Sequence, residues 1–397
     1  MTTTLTCGLP IRTPVRHWPA VVAAALATTV TVMPGFAVGA LAPAIEADLH
    51  VSRTAVGLVI SAFYAATAVG SPITKRVAAR LPAPAVFAVA AVIACAVMLA
   101  VSQADDLATM TTVLVVGGLS NGLVQPAAGR LIAARVPEHR RALAAGAVGA
   151  ALGAATLVPG LLVALVLPGY GWRTAMLIAG LIALVPVVLT PLTGVPRGAG
   201  PAHAGQVATR RGINGVLVLW ALAAALSATG NNAVATYFIQ LGTRSGLPAT
   251  VAGDLLSLSA LLAVAVRLGA GALTDRAPRR NSAVITTMML TGGLGLVLIA
   301  IGTPVTFVFG SVLAFSAGWG WTGLLLATTL RLVARKAENA GHTVQIGIYT
   351  GATVAPYAFA GLAGAYGFTG AALIAAIAAF AGAAAMTAGA LLARRIE

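Results

Sequence analysis

The sequence predicts an all-α integral membrane protein in which twelve transmembrane helices form two pseudo-symmetric six-helix bundles. Three observations carry that expectation. Of 397 residues, 59% are hydrophobic and 8% charged, at a mean hydropathy of +0.96. A soluble domain carries about 25% charge, so this composition cannot clothe a water-exposed surface. The apolar residues fall into twelve runs, each near the roughly 20 residues that cross about 30 Å of hydrocarbon at 1.5 Å per residue. The Lys and Arg between those runs lie almost wholly on one side.

The runs are 18–43, 54–74, 82–103, 107–133, 142–169, 172–194, 213–241, 248–273, 281–301, 304–331, 343–364 and 367–393. Arg12 and Arg16 give the first the flank of a signal peptide, but eleven further runs behind it mark a retained helix, kinked at Pro34. The second, third and ninth are the tightest fits to the bilayer. The fourth carries Asn121 and Gln125, four apart and so on one face. The fifth carries Gly146, Gly149, Gly153 and Gly160, which suit close packing against another helix. After the sixth, residues 195–212 are rich in Gly, Pro and Ala and divide six runs from six. This gives three expected segments: a bundle over 1–194, a cytoplasmic linker over 195–212 and a bundle over 213–397.

The seventh run holds Asn231 and Asn232 deep inside, with Tyr237 and Gln240 toward its outer end. The eighth runs from Asp254 through Arg267 to Asp275. Trp319 and Trp321 stand in the middle of the tenth; two residues apart on a helix they point about 200° apart, so one indole, preferably Trp321, is expected to face the centre. Gln345 and Tyr349, again four apart, mark one face of the eleventh, which Pro356 kinks, and the twelfth closes the set.

With the amino terminus inside, 21 of the 24 Lys and Arg fall at inner ends and loops, and 3, namely Arg53, Arg173 and Arg244, fall outside. Both termini are therefore expected in the cytoplasm of a cell whose inner or plasma membrane holds the chain. The formal charge of +15 is dealt out in small loop clusters, too dispersed to hold a nucleic-acid duplex. Cys7 and Cys95 alone exclude a disulfide framework. His17, His50, His139, His203 and His342 have no ligand spacing, and no phosphate-cradling glycine loop is present, so neither metal nor cofactor is expected.

An internal echo crosses the linker. Thr54-Ala-Val-Gly57 returns as Thr250-Val-Ala-Gly253, and Ala79-Arg-Leu-Pro82 meets Asp275-Arg-Ala-Pro278, both at an offset of 196. Arg130-Leu-Ile-Ala133 returns as Arg331-Leu-Val-Ala334 at an offset of 201. All three pairs join the second run to the eighth or the fourth to the tenth, as in a transporter built from repeats around a midplane site.

With Gly271-Ala-Leu-Thr-Asp-Arg-Ala-Pro-Arg-Arg280 between runs eight and nine, the sequence resembles the major facilitator superfamily over about residues 18–395. Gly171-Trp-Arg-Thr-Ala175, and Gly118-Leu-Ser-Asn-Gly122 with Pro126, resemble the family's segments at helices six and four. In the first half Lys75-Arg-Val-Ala-Ala-Arg-Leu-Pro82 keeps the basic residue but has Ala79 where the family usually has aspartate. Leu114 replaces an arginine that many relatives carry in helix four. The glycine-proline pair of many exchangers is here Gly153-Ala154, with the proline displaced to Pro159. The resemblance implies a secondary transporter, not an enzyme.

Asp275 sits near the inner end of its helix, where a carboxylate can accept from a neighbouring helix's first amides and pair with Arg276 or Arg280. Asp275, Arg276, Arg279 and Arg280 are thus the expected gate, unequal to a first half that has Ala79. None of the nine acids lies at the expected midplane, which removes the usual buried proton carrier. Asp254, near the outer end of the eighth helix, is the remaining candidate for proton coupling; a first-turn acid at a polar helix entrance is its plainer role. Arg267 is thirteen residues and about 20 Å away from it. It is expected to snorkel at the inner end.

The substrate-binding candidates are Asn121, Gln125, Asn231, Asn232, Trp321, Gln345 and Tyr349. Amides in hydrocarbon need partners, and either cargo or helix-to-helix bonds supply them. An indole among amides favours a flat or amphipathic organic solute. The expected activity is export of a drug-like or metabolic compound by alternating access, by a chain acting as a monomer, with protons as a candidate coupling ion. The alternatives are an importer or facilitator of a small nutrient or anion and a non-transporting membrane receptor or scaffold.

Overall fold

A computed structural model describes residues 17–137, 140–194, 213–276, 280–332 and 337–396. Within its helices, the side chains of Ala142, residues 274–276, Leu330, Arg331, residues 337–342 and Ile396 fall outside that description, as do the whole of the 195–212 linker and Arg279. The elements in chain order are α1 (His17–Asp48), α2 (Arg53–Arg80), α3 (Ala83–Ser102), α4 (Leu107–Arg135), α5 (Arg141–Ala154), α6 (Leu157–Leu165) and α7 (Leu167–Ile182). A 3-10 segment (Val185–Thr193) follows α7. Beyond the linker come α8 (Ile213–Thr236), α9 (Phe238–Arg244), α10 (Ala249–Arg276), α11 (Asn281–Ile301), α12 (Pro304–Leu332) and α13 (Ala337–Ile396). Among the described residues every regular element is helical.

Among the described residues eleven stretches are long and apolar enough to cross a membrane, and the last covers 53 residues, Thr343–Arg395. A straight helix of that length would reach about 80 Å. Instead α13 breaks at Gly367 (φ 72°, ψ 172°) and folds back. A Cβ at Gly347 would stand 2.2 Å from the Ala221 carbonyl oxygen, and one at Gly382 2.9 Å from that of Ala223, so both arms pack on the same stretch of α8. The fold makes twelve spans. Gly171 in α7 has the same backbone (φ 76°, ψ 172°), and the two breaks read Tyr170-Gly171-Trp172 and Tyr366-Gly367-Phe368, again at the 196-residue offset. The left-handed His50 (φ 52°) and Gly246 (φ 89°) are another pair at that offset. The repeat is therefore written in backbone conformation as well as in short sequence echoes.

Several spans are less continuous than the apolar pattern predicts. The fifth divides at Ala155-Thr156 into α5 and α6, because Pro159 lacks the N–H that would return to the Ala155 carbonyl. The sixth gives way to a 3-10 turn, with Pro186 and Pro191 removing two further donors. The seventh breaks at Tyr237 (φ −104°, ψ 20°), whose hydroxyl donates to the Pro356 carbonyl at 2.9 Å.

Small residues set the helix contacts. Thr67 Oγ1 donates to the Gly118 carbonyl (2.8 Å) and Thr74 Oγ1 to that of Gly122 (3.1 Å), stitching α2 to α4. A Cβ at Gly118 would come 2.0 Å from the Phe63 carbonyl oxygen. Between the halves, a Cβ at Gly160 would meet Ser257 Oγ at 2.3 Å and the Gly253 carbonyl at 2.6 Å, so α6 lies directly against α10. Gly153 faces Arg267, and Gly149 lies 3.7 Å, measured from its Cβ position, from Gly323 of α12. The glycines of the fifth span thus serve the close packing expected of them. In the loop before α4, Asp106 caps the helix by accepting from the Thr109 amide and hydroxyl, each at 2.8 Å. The amide bond above all holds its carboxyl below the usual carboxylate range.

Candidate functional site

At the centre of the bundle a small cavity is bordered by Val32 and Phe36 of α1, Tyr64 of α2, Asn121 of α4 and Leu152 of α5. The second half contributes Ala228 and Asn232 of α8, Arg267 of α10, Trp319, Trp321 and Thr322 of α12, and Ile348, Tyr349 and Ala352 of α13. It leaves about 30 Å³, room for about two waters. Its lining is drawn from both halves.

Four of the seven substrate-binding candidates border this space: Asn121, Asn232, Trp321 and Tyr349. Asn121 bridges helices there, accepting from Thr31 Oγ1 and donating to Thr67 Oγ1, both at 3.3 Å. Asn232 donates to the Ala228 carbonyl one turn back at 2.9 Å. The other three stand outside the lining. Asn231 donates to the Gly318 carbonyl of α12, a helix-to-helix bond. Gln125 is half-buried one turn beyond Asn121, and Gln345 hydrogen-bonds the Tyr349 hydroxyl. Both indoles of α12 reach the cavity, Trp319 as well as the expected Trp321, so two long side chains approach it from different flanks of one helix.

Sequence reasoning missed the position of Arg267. Expected to snorkel at an inner helix end, it is 2% exposed and borders the central cavity. Its Nε donates to the Trp319 carbonyl (2.8 Å) and its Nη1 to that of Gly149 (2.9 Å), with the guanidinium 5.8 Å from the Trp319 ring centroid. Burying an ion costs on the order of several kcal/mol unless partners offset it. Two carbonyls from different helices and a ring face provide part of that offset. The signal was present in the chain: Gly153 leaves the space that the guanidinium fills, since a Cβ there would touch Nη1 at 3.1 Å.

Toward the expected outer end the cavity is closed by aromatic rings. Tyr64 meets Phe36 (6.2 Å between centroids), Phe36 meets Trp319 (5.4 Å), Trp319 meets Phe315 (5.4 Å) and Phe315 meets Phe238 (5.2 Å). Above them Gln240 Nε2 donates to Glu46 Oε1 across the halves at 2.7 Å, and the Tyr357 amide donates to Ser61 Oγ at 3.2 Å. Arg53 from the first half and Arg244 from the second both stack on Phe368, at 4.4 and 4.5 Å from its centroid. In the first half, the residue equivalent to Arg244 is Asp48. It accepts from Trp172, equivalent to Phe368, at 3.0 Å and pairs with Arg173.

The expected gate is less visible. Arg280 is exposed at the start of α11, while the side chains of Asp275 and Arg276, and Arg279 entirely, lie outside the described residues. In the first half, where Ala79 replaces the acid, Arg130 of α4 donates to the carbonyls of Ala78 and Ala79 at the end of α2. A helix C-terminus attracts a cation in this way without a carboxylate. Asp254 stands exposed on α10, away from the cavity lining.

Twelve apolar spans, an internal repeat and a central cavity shared by both halves define a multi-pass membrane transporter. A family model of the Major Facilitator Superfamily matches residues 24–346, and the chain belongs to that superfamily. The fold is also similar to a solved bacterial homolog of the human lysosomal transporter Spinster, in an inward-facing and unoccupied conformation. That likeness has a TM-score of 0.68 at 17% identity, over 96% of this chain and 95% of the other. A comparison with curated proteins finds no match.

Proposed function

We propose that this chain is a secondary carrier that moves a small organic solute through the central cavity, with export of a metabolic or drug-like compound as its direction. The observation that carries this reading is the cavity's shared lining: Tyr64 and Asn121 come from the first half, Asn232, Trp321 and Tyr349 from the second. A solute held by both halves couples their relative movement to its own binding, which is what alternating access requires. Phe36 and the two indoles suit an organic body with a flat face. Uptake or facilitated passage of a small anion is the second reading, and the buried Arg267 favours it. The carrier acts as a monomer in the cell's inner or plasma membrane, and the basic asymmetry supports placing both termini inside.

Flux into sealed liposomes holding the purified chain, with and without a pH gradient, tests the proposal. Solute movement that saturates is expected; its absence for every solute tried would overturn the carrier. Proton coupling through Asp254 predicts that Asp254→Asn loses the gradient-driven component alone. For the gate, Asp275→Asn is expected to slow turnover while solute binding stays within a few fold. Unchanged turnover would remove the latch, and equal loss of binding and turnover would place Asp275 in the site or in folding.

A further inference from the structure

Two residues that border the largely apolar cavity carry buried hydrogen-bond donors with no partner among the described residues. Tyr64 is 3% exposed and Trp321 1% exposed, both border the cavity, and neither the Tyr64 hydroxyl nor the Trp321 indole nitrogen has a partner among the described residues. Arg267 adds a full positive charge. Its Nε and Nη1 are held by carbonyls; its Nη2 has no hydrogen bond among the described residues. The ion pairs found among those residues all belong to Arg173 at the expected outer end. A buried cation inside a membrane bundle calls for a counter-charge, and buried donors call for acceptors.

Resting on the carrier reading, we propose that the solute is an organic monocarboxylate: its carboxylate pairs with Arg267 and accepts from Tyr64 and Trp321, while its flat body lies against Phe36 and Trp319. One guanidinium neutralises one carboxylate. A phosphate dianion would leave net negative charge in the bundle, and a cation would meet Arg267 unscreened. A neutral apolar solute would leave three donors unpaired. The 30 Å³ of this arrangement is too small for such a monocarboxylate. The solute therefore enters when the halves part.

The test uses the purified full chain with nicotinate, nicotinamide and 3-(aminomethyl)pyridine, three flat probes of similar shape differing in charge, at equal ionic strength and pH 7.5. Nicotinate is expected to bind at least about tenfold more tightly than nicotinamide, by thermal shift and tryptophan fluorescence, because its hydrogen bonds are charge-assisted. Arg267→Gln should erase that preference and Arg267→Lys should keep part of it. Tyr64→Phe, which removes one unpartnered oxygen and leaves the ring, should weaken nicotinate several-fold and keeps the test open should the arginine variants fail to fold. Equal binding of nicotinate and nicotinamide, preference for the amine, no nicotinate binding, or parent-like nicotinate affinity in Tyr64→Phe together with either arginine variant would overturn the carboxylate site. Nicotinate that binds through Arg267 yet never crosses liposome membranes would leave the site standing and overturn the carrier. Saturable flux of a neutral solute without nicotinate binding would do the reverse.

Discussion

Two neighbouring asparagines divide the labour at the centre of α8. Asn232 borders the cavity, whereas Asn231 holds α12 through the Gly318 carbonyl. Replacing Asn231 by Ala removes a buried helix-to-helix hydrogen bond while the Gly318 carbonyl stays in its own α12 ladder, at a cost of about 0.5–1.5 kcal/mol. The expected result is a clear fall in melting temperature with the ranking of solutes unchanged. Asn232→Ala leaves the Ala228 carbonyl within its own helix ladder, so the melting temperature should move little while solute affinity changes. Circular dichroism melts and binding on the same two variants check this pair. Both residues read alike in the sequence, as amides in an apolar run. Which one turns inward depends on a rotation of about 100° between successive helix positions, which no local pattern fixes. Arg267 was misplaced for a related reason: hydropathy counts charges along a run, while the carbonyls of Trp319 and Gly149 that hold this one come from elsewhere in the chain.

Among the elements, α13 and α7 share a one-residue break. At φ near +75° and ψ near 172° the backbone lies in a region open essentially to glycine alone, where another residue costs about 1–3 kcal/mol. Gly171→Ala and Gly367→Ala are therefore expected to destabilise the protein by similar amounts, measured as loss of folded chain during heating in detergent. Neither glycine has any atom within 4 Å of where a Cβ would stand, so crowding cannot account for the loss. Matched Asn substitutions at both positions should fare no better. If either Ala variant melts with the parent, the strain is not there. The positions of the spans were legible because length and hydropathy set them, and the breaks inside them followed from single prolines and one buried tyrosine. The 3-10 ending of the sixth span is set by Pro186 and Pro191, whose effect an unbroken apolar run conceals.

For the whole molecule, the number of spans, the two halves and the family were readable from the sequence, because each is a sum over many residues. The central site was only half readable, since it forms where eight helices and both halves converge. The orientation rests on the charge asymmetry and has its own test. Single cysteines placed in a variant lacking Cys7 and Cys95 should be labelled from outside at the exposed positions 103 or 243 and only from inside within 195–212. Outside labelling of that linker in intact cells would reverse the topology.

The hairpin at Gly367 also bears on how the chain is made. With a single residue between its arms, the eleventh span cannot settle in the bilayer and await the twelfth, because no loop exists to stay in water while the ribosome finishes. The pair must leave the insertion channel together. With translation arrested shortly after Gly367, a cysteine in the preceding arm should therefore remain open to aqueous labelling, and in a chain stopped beyond Arg395 it should not. The equivalent break at Gly171 sets the same condition on the first half, so the protein is assembled under two matching checkpoints, each a glycine wide.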